Sequence, residues 1–394
     1  MSAASTTPNA SSPASPPCRA AYRPAWLFSR ELDLGVFLGA ALVSFGALGV
    51  GALAGVLHDE TPGWAWVPAV VLCDVAHVWS TAFRTYLDPA ERRARPWILG
   101  LVPVLGLLAS VTLFAVGELW FWRALAYLAI FHFVRQQYGW VSLYRSRAGE
   151  TGRAGRFIDA AAIYAATLWP LLHWHTHLPR RFAWFFPGDV VALPALVMPG
   201  ATLAYAAALA AYAVRAAALW RRGTPNPGKD IVVVTTAASW YVGIVAFDSD
   251  YAFTVTNVFM HGIPYFALVL VHARGRWRVP TPASLPAPSA LPAPPPSLAQ
   301  RLTRSVVPYL GVLWLFAFVE ELFWDRAVWH DRGWLFGEPW DADALKLLVV
   351  PLLALPQLTH YVLDGFIWRR RSNPSVATLA SPQALQVTLS TSSP

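Results

Sequence analysis

Four histidines in this chain sit inside apolar stretches, each with a polar side chain one helical turn away. The segment "CDVAHVWSTAFR" holds Asp74 and His77, three residues apart, and "QLTHYVLDG" holds Gln357, His360 and Asp364, with His360 and Asp364 four apart. The segment "IFHFVRQQYGW" carries His132, Arg135, Gln136 and Gln137, and "TNVFMHGIPY" carries Asn257, His261 and Tyr265. Spacings of three and four place both side chains on one helical face. Ionisable groups at bilayer depth are costly, face the interior of a bundle and mark function by default.

Imidazole and carboxylate ligands suit iron, zinc, copper or nickel. His77, His132, His261 and His360 are the expected ligands of one metal, or of two bridged by carboxylate. Asp74 and Asp364 are expected as co-ligands or as acceptors that fix the imidazole tautomers. Asp364 lies near the end of its segment, where Arg369 offers it an ion-pair partner. Arg135 and Gln136 are expected to orient substrate. Iron is the expected metal, because a redox-active ion inside a bilayer has ready access to an apolar substrate; zinc or another divalent ion is the alternative. Ligand bonds of about 2.0–2.1 Å imply imidazole nitrogens about 3–4 Å apart. The competing reading is that each histidine only bonds a neighbouring helix.

The elements that must position these residues follow from composition. Of 394 residues, 56% are hydrophobic and 13% charged, against about 25% charged in soluble domains. Ten apolar segments, near 34–57, 62–83, 96–117, 119–141, 157–172, 199–220, 231–247, 252–273, 306–323 and 344–368, can be drawn at or close to the length of a membrane-crossing helix. The fold class is therefore all-α, a polytopic transmembrane bundle of about ten spans. All four histidine segments are even-numbered, so they run in the same direction. Counting along each at about 1.5 Å per residue puts the histidines in one layer.

The net charge of +8 does not imply a nucleic-acid partner, because the arginines lie in short connections between apolar segments. Arg92, Arg93, Arg95, Arg145, Arg147, Arg221, Arg222, Arg274 and Arg301 fall in alternate connections and Arg369 to Arg371 follow the last span, which places both termini in the cytoplasm of an inner-membrane protein. Arg180 and Arg181 are exceptions to that alternation. Residues 1–25 and 372–394 read as disordered tails. Residues 275–304 read as a Pro/Ala-rich cytoplasmic linker between a membrane domain at 26–274 and a final pair of spans at 305–371. With two cysteines, Cys18 in the tail and Cys73 in a span, no structural disulfide is expected. Glu320 and Glu321 are expected at the outer surface. The "HWHTH" run from His173 to His177 reads as an interfacial loop before it reads as a metal site.

At "HYVLDGFIWR" the chain resembles a group of uncharacterised bacterial multi-spanning proteins with a terminal H-x-x-x-D-G-x-I-W-[RK] signature. Its histidines, spread over separate spans, also resemble the layout of the Brp/Blh membrane carotenoid oxygenases, histidine-dependent iron enzymes that cleave β-carotene. That resemblance implies non-haem iron chemistry on a lipid or isoprenoid, with membrane lipid and an apolar small molecule as partners. The histidine boxes of fatty-acid desaturases are absent around these residues. No P-loop, GxSxG, HExxH or CxxC signature stands out. The function from another class that uses the same His and Asp residues is a divalent-cation or proton transporter. No internal repeat of the kind many transporters show is evident.

Overall fold

A computed structural model describes residues 25–277 and 297–369, together with Asn373 and Val376. Among these residues all regular structure is helical and no strand forms. Ten long helical segments follow one another: α1 Arg30–Ala54, α2 Gly63–Arg84, α3 Pro96–Val116, α4 Glu118–Arg147, α5 Arg153–Thr176, α6 Ala195–Arg221, α7 Pro227–Ala246, α8 Asp250–Trp277, α9 Val306–Trp329 and α10 Asp343–Ile367. Eight of them are long and apolar enough to cross a membrane. The expected count of ten spans is corrected on this point, because α4 and α5 are long but too polar. The physical reason for α4 is its position. It packs among α3, α5, α7 and α10, and a helix screened from lipid by its neighbours need not be apolar all round. By contrast α3 and α6 are apolar and mostly uncovered, with Leu101, Leu108, Leu203 and Val214 exposed.

Local sequence accounts for where the helices start and bend. Ser29 caps α1 by accepting from the Leu32 backbone N–H. Proline occupies the first turn of α3 and of α7, where its missing N–H is no loss. In α2 the residues Val67–Val75 form a π-helical stretch that ends two residues before His77. Its i→i+5 hydrogen bonds put more residues in each turn than an α-helix has, so it re-aims everything after it. In α10 the helix is interrupted at Ala354, just ahead of Pro356.

One expectation changes with the fold, and one exception is explained. Glu320 and Glu321 are buried, not at the surface, and Glu320 accepts from the Trp79 indole at 2.6 Å. Arg180 fits no topological rule because its role is local: it pairs with Asp248 at 2.9 Å and donates to the carbonyls of Ile244, in the last turn of α7, and of Phe247, just past it. Of the segment 275–304, the described parts are 275–277, which end α8, and 297–304, where a short helix at Leu298–Leu302 begins on a capping box formed by Ser297 and Gln300. The rest of that segment and nearly all of the two tails lie outside the described residues.

Two contacts fix the helices that carry the histidines. Gly262 of α8 lies against α2 so closely that a Cβ there would stand 2.7 Å from the Cys73 sulfur and 3.1 Å from the Cys73 carbonyl oxygen. At the end of the bundle where α4 meets α5, α6 and α7, an ionic cluster ties the four together. Lys229 sits 2.8 Å from Glu150 and 3.0 Å from Asp159, Arg215 sits 2.8 Å from Asp159, Asn226 donates to Glu150 at 2.8 Å, and Arg145 also holds Asp159. Burial pushes the Glu150 carboxyl up, but the Lys229 ammonium, Arg215 and Asn226 outweigh it and hold it at about 2.

Gly262→Ala is expected to cost about 1–3 kcal/mol, as overpacking does, seen as a lower Tm in detergent or nanodiscs. Cys73→Ala added to it restores only part of the loss, because the carbonyl contact remains. The Glu150 carboxyl is held below its ordinary 4.5, so its stabilisation is complete above that value and is lost as pH falls from about 4.5 toward 2. Thermal unfolding followed across that window should show the decline, and Glu150→Gln should flatten it.

Candidate metal centre

The four histidines come from α2, α4, α8 and α10, and each helix brings its residue to the middle of the bundle. One ring nitrogen from each of His77, His132, His261 and His360 lies within 4.8 Å of all the others. The Nε2 atoms of His261 and His77 are 3.0 Å apart, and those of His360 and His132 are 3.2 Å apart. Adjacent rings meet edge to face, with centroids 4.6 Å apart for His77 and His261 and 4.6 Å for His132 and His360. None of the four is more than 4% exposed. Nitrogens bound to one ion at 2.0–2.1 Å stand about 3.4 Å apart at a tetrahedral angle and about 4.1 Å apart in trans. The observed set is of that scale, so these four residues form a buried group able to hold a metal ion.

The ring atoms facing away from the centre show how one tautomer is set. The Trp368 indole N–H can only donate, and it meets the Tyr265 oxygen at 3.3 Å. Tyr265 in turn donates to Asp364 at 2.6 Å. Its oxygen is then the acceptor for the Thr81 hydroxyl at 2.9 Å, and the Thr81 oxygen accepts from His360 Nδ1 at 2.6 Å. This chain places the His360 proton on Nδ1 and leaves the Nε2 lone pair turned to the centre, as a metal ligand needs. His261 is oriented differently, by stacking on Phe133 with centroids 3.6 Å apart and planes 5° from parallel.

The remaining sequence-selected residues take distinct places. Asp74 and Asp364 stand behind the rings, toward Nδ1: Asp74 is 3.6 Å from His77, and Asp364 is 3.9 Å from both His132 and His360. Neither belongs to the convergent nitrogen group. Asp364 engages Tyr265 where sequence had offered it Arg369. Gln136 donates to the His261 carbonyl at 2.9 Å, and its own carbonyl oxygen is buried with no partner. Arg135 is exposed, bonds the Tyr164 hydroxyl and lies over the Tyr138 ring at 5.1 Å. The "HWHTH" run stays apart from the centre. His175 is held by the Leu171 carbonyl and Tyr127, while His173 and His177 stack on each other.

Two cavities flank the histidines. One, of about 570 Å³, is lined by His132, Gln136, Tyr265, Asp364, Trp368 and other largely apolar side chains, with Arg135 and Arg369 among them. The other, of about 360 Å³, lies on the opposite side and is lined by Asp74, Asn257, Glu321, Asp325 and Gln357 among others. Sequence reasoning missed Thr81 and the structural role of Tyr265. A signal for both exists, since each follows a histidine of its own helix by four residues and so lies on the same face one turn on.

Removing the hydroxyl at Thr81 breaks the chain that fixes His360. Thr81→Val, which keeps the shape, is expected to weaken metal affinity by about 10–100-fold, read by competition with a chelator of known affinity. Tyr265→Phe should weaken it in the same direction.

Comparison with protein-family models, with curated proteins and with solved structures gives no match.

Proposed function

We propose that this chain is a membrane-embedded metalloenzyme, an iron-dependent oxidoreductase acting on a lipid or isoprenoid. One observation carries the reading: a buried set of four imidazoles opens, at His132, onto an apolar cavity of about 570 Å³, within the size range of small-molecule sites. An all-imidazole set without thiolate suits iron, copper, nickel or zinc. Bound iron would supply redox chemistry that a protein side chain lacks. The sequence resemblance to the Brp/Blh oxygenases points to the same class.

The chain's own residues then have separable tasks. The four histidines hold the ion. The Thr81–Tyr265–Asp364 chain keeps a proton on His360 Nδ1 and the ring in register. Tyr361, Trp368 and Leu268 form apolar walls that exclude water and accept hydrocarbon. Gln136 offers its unpartnered carbonyl oxygen to a hydroxyl of the substrate, and Arg135 stands at the exposed edge of the same cavity to meet a polar or acidic group.

The second reading, a divalent-cation transporter, draws on the acidic cavity at Asp74. Against it, a cation leaving on the other side would enter an apolar cavity edged by Arg135 and Arg369, which repel it. The ion therefore fits a resident better than a cargo.

Protein purified in nanodiscs is expected to carry one iron per chain by elemental analysis, and single His→Ala changes at His77, His132, His261 or His360 are expected to lower occupancy sharply while the helical circular dichroism persists. Metal-free protein that converts an isoprenoid substrate as well as the loaded form would sink the enzyme reading. Uptake of labelled zinc into sealed proteoliposomes, abolished by the same changes, would favour transport.

A further inference from the structure

The acidic cavity has a graded construction. Asp331 lies exposed at its mouth, Asp325 and Glu321 are buried deeper, and Asp74 forms its inner wall, 3.6 Å from His77. Five of its lining side chains are carboxylates and one, Arg332, is cationic. Two buried oxygens on its wall have no hydrogen-bond partner: Asn257 Oδ1 and Asp325 Oδ2. Both residues are 3% exposed. A buried polar oxygen left without a partner is costly, and such atoms on a polar cavity wall call for a ligand.

Helix geometry sets this cavity next to the metal group. Asp74, Asn257 and Gln357 precede His77, His261 and His360 by three, four and three residues, so each lies one turn from a histidine on the same face. The cavity floor is thus made by the layer directly adjoining the imidazoles. The carboxylates do not gather into a chelate of their own. Among the described residues, the four histidines are the one group of three or more metal-type side chains with convergent ligand atoms. Spread carboxylates concentrate and guide a cation without trapping it.

We propose that this cavity is the loading route for a divalent metal ion, which enters at Asp331, passes Asp325, Glu321 and Asn257, and is delivered by Asp74 to the four histidines. The inference rests on the metal reading of the histidine group. Entry is then from the end of the bundle formed by the α1–α2, α7–α8 and α9–α10 connections, away from the arginine-rich connections. The opposite cavity, edged by Arg135 and Arg369, is left to the substrate.

A route affects how fast an ion arrives and leaves, and a ligand affects how tightly it stays. The test therefore uses full-length protein in nanodiscs, stripped by a chelator and reloaded with Co²⁺ under stopped flow, the ligand-field absorption reporting arrival. Asp325→Asn keeps an amide oxygen for the Asp331 and Arg332 backbone N–H groups that Asp325 Oδ1 now accepts from at 2.9 and 2.7 Å. Combined with Glu321→Gln, it is expected to slow loading by about tenfold or more, with final stoichiometry and affinity unchanged because release slows equally. Arg332→Gln is expected to speed loading, and added salt to slow the wild type. Variants that load as fast as wild type would overturn the route while leaving the metal site standing, and so would variants whose only defect is a lower final stoichiometry. Wild-type protein that takes up no cobalt, zinc or iron overturns the metal reading and the route together.

Discussion

Four imidazoles packed nitrogen to nitrogen in the middle of the bundle are the constraint on which the rest of this structure turns. Each ring presents a lone pair or an N–H to its neighbours, and none of the four is more than 4% exposed to solvent that could make up a mismatch. Buried polar groups left unmatched cost free energy on the scale of a whole protein's net stability when several occur together. A cation at the centre accepts all four lone pairs at once, and then every outward Nδ1 must carry a proton. The hydrogen bonding behind His360 agrees with that state, since Trp368 and Tyr265 force the donor direction along the chain to Nδ1.

The surrounding helices can be understood as the means of holding that centre. Side chains on α2, α8 and α10 repeat one arrangement: a polar residue three or four positions before the histidine, the histidine, and a polar residue four positions after it. These make three stacked layers, with Asp74, Asn257 and Gln357 above, the imidazoles in the middle, and Thr81, Tyr265 and Asp364 below. The upper layer lines the acidic cavity, and Tyr265 and Asp364 of the lower layer line the apolar one. Close approach of α8 to α2 at Gly262 and the π-helical stretch in α2 bring His261 and His77 into contact. The ionic cluster around Glu150 and Asp159 secures α4 at its far end, where its polar surface meets α5, α6 and α7.

Much of this was readable from residue spacing. Helical periodicity gives the layers, and the common direction of four segments gives the shared depth, so His77, His132, His261 and His360 could be singled out before any coordinates. What spacing does not carry is contact between helices. The bond from Thr81 to His360 joins residues on α2 and α10, and nothing in either segment announces the other. Burial of Glu320 and Glu321 was missed for a related reason: a carboxylate at the end of an apolar run looks like a boundary, but here Trp79 of another helix covers it. The span count went astray at α4 and α5, whose polar residues are tolerable only because of the neighbours around them.

The separation of the two cavities bears on the chemistry more than either does alone. A hydrophobic molecule and a divalent cation are hard to admit through one opening, since walls that favour the first expel the second. Here five carboxylates stand among the side chains of one cavity, while the other is largely aromatic and aliphatic, and the imidazoles lie in the layer between the two. On the proposed route, an ion arriving by the acidic side would stop where four imidazoles converge, and Arg135 and Arg369 beyond would discourage further passage. On the proposed function, an apolar molecule entering beside Phe131, which is 62% exposed and lines the cavity with His132, would meet the centre from the other face without crossing the ion's path. On that reading such a division would keep the metal replaceable while substrate is bound, and it follows from charge and polarity placed one helical turn to either side of four histidines.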